Sequence, residues 1–130
     1  MIVLDSSAVV AILKREPDAE TFQIKLSEAA EVMIGAPTKF ELLMVMARWR
    51  QKPAVDLAVS LLGTIGAKVV PWDDALTMLA VKAEFDFGKG RHPANLNFGD
   101  CMAYALAKSL DSPLLFKGDD FSKTDVKSAL

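Results

Sequence analysis

Four short apolar runs at 2–4, 32–35, 68–72 and 113–116 carry the β-branched and aromatic residues of buried strands. Between them the apolar positions recur at helical spacing, over 21–30, 40–49, 55–62, 75–85 and 101–110. Strand-then-helix alternation predicts an α/β chain with a central, mainly parallel sheet of four or five strands flanked by helices on both faces. At 130 residues it fits one domain, 1–130, able to bury roughly two-thirds of its unfolded surface. No repeat or linker interrupts it, and the longest expected loop is "FGKGRHPANL" over 87–96.

Composition excludes several classes of function. Cys101 and His92 are the only residues of their kinds, which rules out a disulfide framework and a Cys/His zinc site. Cys101 itself reads as a small core residue, without a histidine partner nearby in sequence. No apolar run is long enough to span a bilayer, and "MIVLDSS" has no basic leader region, so a reducing cytoplasm is the expected location. The net charge of −2 argues against broad, nonspecific attraction to nucleic acid, but not against an acidic centre with local basic patches.

In open parallel sheets, ligands bind beyond the carboxyl ends of the strands. Asp5 follows the first strand, Glu41 lies early in the helix after the second, and Asp119 and Asp120 follow the last strand after Gly118. Asp100 heads the helix that leads into that last strand, so it falls on the same rim. Each position has an ordinary explanation. Asp5 can cap a helix, Thr38 and Glu41 fit a capping box, Asp100 suits a helix N-terminus, and Asp119 or Asp120 suits a turn. Together they are costly, because clustered carboxylates repel unless protonated or bridged by a cation. A hard divalent ion such as Mg²⁺ satisfies a few carboxylates while keeping water ligands, and can activate water against a phosphodiester. The chain has neither a pair of histidines for acid–base work nor a Gly-rich phosphate loop.

The segments "MIVLDSSAVVAIL", "TKFELLMV", "GKGRHPANLNFGDCMAYALA" and "PLLFKGDDFSKTDV" resemble the PIN domain across essentially the whole chain, most closely the VapC-type toxins of bacterial toxin–antitoxin pairs. The resemblance implies a PIN-like three-layer fold and a Mg²⁺- or Mn²⁺-dependent endoribonuclease acting on tRNA, rRNA or mRNA. Carried onto this sequence, Asp5 and Asp100 become the principal metal ligands, Glu41 completes the acidic pocket, and Asp119 is the fourth acid, with Asp120 an alternative because the spacing before the "DF" pair varies. Ser6 matches the family's hydroxyl that hydrogen-bonds a ligand or carboxylate. The implied products are a 5′-phosphate and a 3′-hydroxyl, and the implied partners are a VapB-like antitoxin and a second copy of the chain in a homodimer.

Lys89, Arg91 and His92, just before Asp100, are candidates to hold RNA phosphates, against the alternative of a solvated charged loop. Two rival functions stand beside the nuclease. A phosphorylated receiver domain would use Asp73 or Asp74 as phosphoacceptor together with Lys117. A noncatalytic RNA- or protein-binding module would keep the fold and lose the chemistry.

Overall fold

The strands β1 (Ile2–Leu4), β2 (Val32–Gly35), β3 (Lys68–Val70) and β4 (Leu114–Leu115) form one sheet in the order β3-β2-β1-β4. Every pair is parallel in the computed structural model, which describes residues 1–130. Side chains alternate across this sheet, as the two-residue period of a strand requires. Ile2, Leu4, Val32, Ile34 and Leu115 face a core built with α1 (Ser6–Leu13), α2 (Ala19–Glu28) and α3 (Ala36–Thr64). Val3, Met33, Val70 and Leu114 face the opposite core, built with α4 (Asp74–Phe87) and α5 (Phe98–Ser109). The result is the expected three-layer α/β arrangement, with four strands.

Local chemistry moves several boundaries. β3 stops at Val70 because Pro71 has no amide hydrogen to continue a ladder. The segments expected at 40–49 and 55–62 are two arms of α3, joined at a kink where Arg50 (φ −138°) and Gln51 (φ 60°) leave helical geometry just before Pro53. α1 is a helix not anticipated from spacing, since Val9, Val10 and Ile12 give it a strand-like composition. α5 begins at Phe98 rather than Cys101, with Asn97 as its N-cap.

The topology delivers one functional rim. β1 ends into Asp5, β2 runs into α3, and β4 runs into the loop carrying Asp119 and Asp120. α5 precedes β4 and runs antiparallel to it, so its first turn lies at the same edge. Cys101 is buried in α5, and that burial pushes its thiol up to about 11, which suits packing and not nucleophilic attack.

Candidate active site

Asp5 is the N-cap of α1, and its Oδ2 accepts from the Ser7 N–H at 3.0 Å and from the Ser7 hydroxyl. The Ser7 Oγ in turn accepts from the Lys117 N–H at 3.0 Å, so the exit of β4 is tied to the exit of β1 through one hydroxyl. The other carboxylate oxygen, Oδ1, is buried with no hydrogen-bond partner. A buried orphan acceptor is expensive, and here it belongs to the one deeply buried acid of the chain. Burial pushes the Asp5 carboxyl up to about 6; the two Ser7 hydrogen bonds oppose the rise, and the charges of Asp100 and Glu41 add to it.

Glu41, in the second turn of α3, reaches Ser6: the Ser6 hydroxyl donates to Oε1 at 2.8 Å. The contact is a hydroxyl-to-carboxylate hydrogen bond between α1 and α3. Thr38 does not cap the helix, because α3 already begins at Ala36, and Thr38 is buried inside it. Asp100 is the third residue of α5 and forms a reciprocal capping box with Asn97. Its N–H donates to Asn97 Oδ1 at 2.9 Å, and its Oδ2 accepts from the Asn97 N–H at 3.1 Å. Capping therefore uses Oδ2 of Asp100 and leaves Oδ1 over. Burial raises the Asp100 carboxyl, opposed by the Asn97 N–H, and the charges of Asp120 and Glu41 raise it further.

Of the two adjacent aspartates, Asp120 is thus the one whose charge acts on Asp100. Both are exposed; Asp120 heads a short 3-10 turn, Phe121–Lys123, while Asp119 offers its carbonyl to the Ser122 hydroxyl at 2.5 Å. The arrangement brings Asp5, Glu41 and Asp100 into electrostatic reach of one another from three separate elements, and Asp120 into reach of Asp100. No three of the chain's acids, His92 or Cys101 converge closely enough to enclose an ion by themselves. The donor set nevertheless fits Mg²⁺ or Mn²⁺: the donors are hard oxygens, Asp5 Oδ1 lacks a partner, and Mg²⁺ commonly takes one or two carboxylates and keeps its waters.

A PIN domain family model matches residues 2–127. Ribonuclease VapC42 of Mycobacterium tuberculosis is 38% identical over 130 residues, covering 98% of this chain and 98% of its own. The chain belongs to the PIN-domain family, among the VapC ribonucleases. Solved PIN structures agree in fold. The Sarcin-Ricin loop cleaving toxin VapC20 of Mycobacterium tuberculosis superposes with a TM-score of 0.79 at 16% identity, over 97% of this chain and 96% of that one. VapBC2 from Rickettsia felis, bound to a DNA fragment from its promoter, gives 0.75 at 11% identity, over 98% and 96%.

Around the acids of this PIN domain, the basic loop is less free than its composition implies. Arg91 pairs with Glu84 at 3.5 Å and stacks over Phe85 at 4.7 Å. His92 Nδ1 accepts from the Ala94 N–H at 3.0 Å, and its ring stands edge-on to Phe87 at 5.1 Å, so it braces the loop. Lys89 is exposed, and its N–H closes the loop onto the Leu96 carbonyl at 2.9 Å. Three residues with a part in the site were not singled out from sequence: Ser7, which grips Asp5; Asn97, which grips Asp100; and Gly99, which lies against Glu41.

The receiver alternative fails on geometry. Asp73 follows the edge strand β3, two strand spacings or about 10 Å from β1. Its carboxylate caps α4 through the Leu76 N–H at 2.9 Å. Lys117 is engaged by Glu16 and, at 3.2 Å, by Asp18. Asp73→Ala is expected to cost about 1 kcal/mol of stability in urea denaturation, the usual value of a lost cap, and to leave RNA cleavage unchanged.

Proposed function

We propose that this protein is a Mg²⁺- or Mn²⁺-dependent endoribonuclease toxin of the VapC type, restrained in the cytoplasm by a VapB-like antitoxin. The observation that carries the reading is the buried, unpartnered Oδ1 of Asp5 beside the charges of Asp100 and Glu41. Asp5 Oδ1 and Asp100 Oδ1 are the oxygens left over by their capping hydrogen bonds, and they are the ones assigned to hold the ion. When bound, a divalent cation lowers the pKa of water and offsets charge on the phosphate. Ser7 and Asn97 hold the two aspartates in place through the opposite oxygens. Ser6 fixes Glu41 beside them, where its carboxylate can accept the proton of the attacking water. Attack at phosphorus breaks the bond to O3′, so the products carry a 5′-phosphate and a 3′-hydroxyl. Asp120 is the assigned fourth acid in place of Asp119, because its charge is the one felt by Asp100.

The antitoxin and homodimer assignments draw support from the surface next to the acids. Phe40 is 70% exposed and Phe98 82%, and with Met44 and Met102 they line a groove of ≈ 230 Å³ that also touches Glu41 and Gly99. Large apolar side chains left open in this way call for a protein partner, and one seated there would also obstruct the site. No helix is long and apolar enough to cross a membrane.

The test is to incubate partner-free protein with total cellular RNA and Mg²⁺ or Mn²⁺, with and without EDTA, and to map the new ends. Discrete cuts bearing 5′-phosphates, absent with EDTA, are expected. Ends carrying a 2′,3′-cyclic phosphate would contradict hydrolysis by water. A folded protein that cuts nothing with either metal would favour the noncatalytic binding module.

A further inference from the structure

The second residue of α5 is a glycine, in a helical turn where glycine costs roughly 0.5–1 kcal/mol relative to alanine. Its backbone does not ask for it. The glycines with positive φ are Gly66, Gly90 and Gly118, and Gly99 is not among them. What distinguishes Gly99 is the space above its α-carbon, which the Glu41 carboxylate fills. A Cβ built there would lie 2.7 Å from Glu41 Cδ and 2.9 Å from Oε1, with Oε2 closer still. Nothing but that carboxylate is met within those distances. Gly88 makes the contrast, since a Cβ there would strike the Glu84 main-chain carbonyl as well as its carboxylate, and so disturb the end of α4 itself. At Gly35 a Cβ would make only ordinary contacts, the nearest with Leu106 Cδ2 at 3.5 Å.

We propose that Gly99 is a positioning residue for Glu41: its missing side chain forms the seat on which the carboxylate rests at the N-terminus of α5. Three contacts then determine where Glu41 points. The Ser6 hydroxyl holds Oε1 from one side, the bare α-carbon of Gly99 admits the carboxylate from the other, and the positive end of the α5 dipole favours the charge there. The same turn carries Asp100, so the close approach of α3 to α5 at Gly99 also sets the distance between the two acids. Any side chain at position 99 displaces Glu41 before it disturbs the fold, because a carboxylate at the end of a flexible chain yields more easily than backbone does. This assignment rests on the nuclease reading for its consequence in catalysis, and on packing alone for its structural content.

The experiment is a double-mutant cycle with a crystal structure beside it. Gly99→Ala is expected to lower kcat for RNA cleavage by about 10²-fold, the scale of a misplacement near 1 Å, with KM little changed and Tm unchanged or higher. In a Glu41→Ala background, where no carboxylate remains to be displaced, adding Gly99→Ala is expected to change the residual rate by less than about twofold, the signature of two residues acting through one contact. Glu41→Asp, whose shorter side chain clears an alanine at 99, is expected to restore part of the loss. The crystal structure of Gly99→Ala should show Glu41 moved and its bond to Ser6 broken. Equal losses from Gly99→Ala in both backgrounds, or a Glu41 carboxylate still in place in that structure, would overturn the proposal. If the unmodified protein cuts no RNA, the nuclease reading fails, and the position of Glu41 in the variant crystal decides the Gly99 assignment by itself.

Discussion

Asp5→Asn is expected to remove RNA cleavage by at least about 10²-fold while raising the melting temperature of the metal-free protein at pH 8. Both effects come from one buried oxygen. In the native protein Oδ1 of Asp5 has no hydrogen-bond partner, and burial lifts the carboxyl from an ordinary 3.8 to about 6. At pH 8 the folded chain therefore carries a buried negative charge that the unfolded chain can solvate, at a cost of about 3 kcal/mol. Asparagine keeps the acceptor for Ser7 and turns an amide toward the neighbouring acids, which relieves the repulsion. A gain of about 5 °C or more is the expected shift for a chain of this size. The same change withdraws the anionic oxygen assigned to the ion, so stability rises as activity falls. An Asp5→Asn protein that is less stable than the parent at pH 8 without metal would show that the carboxylate is not strained in the fold.

The pH dependence of stability follows from the same group, and its sign is unusual for an aspartate. Because the folded-state pKa is raised, the contribution of Asp5 is fully present below about pH 4 and is lost as pH rises through about 6. Asp100 is shifted in the same direction and acts in the same sense. Urea denaturation of the protein in EDTA is expected to give an unfolding free energy lower at pH 8 than at pH 4.5, by about 2 kcal/mol from Asp5. Millimolar Mn²⁺ should recover most of that loss at pH 8, since a ligand of the folded state alone stabilises it, and should do little at pH 4.5, where protons occupy the carboxylates. The Asp5→Asn protein should lose most of both responses. A stability that stays flat from pH 4.5 to 8 and ignores Mn²⁺ would contradict the burial and charge repulsion inferred for the rim carboxylates.

The layers and the rim could be read in advance because they depend on short-range patterns. β-branched runs mark the strands, and Asp5, Asp100 and the Asp119–Asp120 pair sit where a parallel sheet must place its strand ends. What stayed hidden depends on contacts between distant segments. Gly99 looks like an ordinary helix-start glycine until Glu41 of α3 is packed onto it. Ser7 matters through the Lys117 N–H, which only the closure of β4 against β1 brings near. Asn97 had a local signal, a capping residue three before an acid, but its partner Asp100 is shorter than the usual Glu or Gln of that motif. Sequence spacing left Asp119 and Asp120 as alternatives, because the chain turns between β4 and this pair at Gly118, whose φ is 98°. Arg91 and His92 illustrate the same dependence on folded contacts: their charges suggested phosphate contacts, and the fold adds Glu84 and Phe85 as neighbours of the first, and Phe87 with the Ala94 amide as neighbours of the second.

The most direct test of the account is a Mn²⁺ titration at pH 7.5 followed by electron paramagnetic resonance, with RNA cleavage read from the same samples. It compares the native protein with Asp5→Asn and Asp100→Asn. Saturable Mn²⁺ binding that rises together with cleavage in the native protein, and disappears with it in both variants, is the predicted result. Undiminished Mn²⁺ binding in the variants, or cleavage that continues without it, would show that Asp5 and Asp100 do not hold the ion on which the reaction depends.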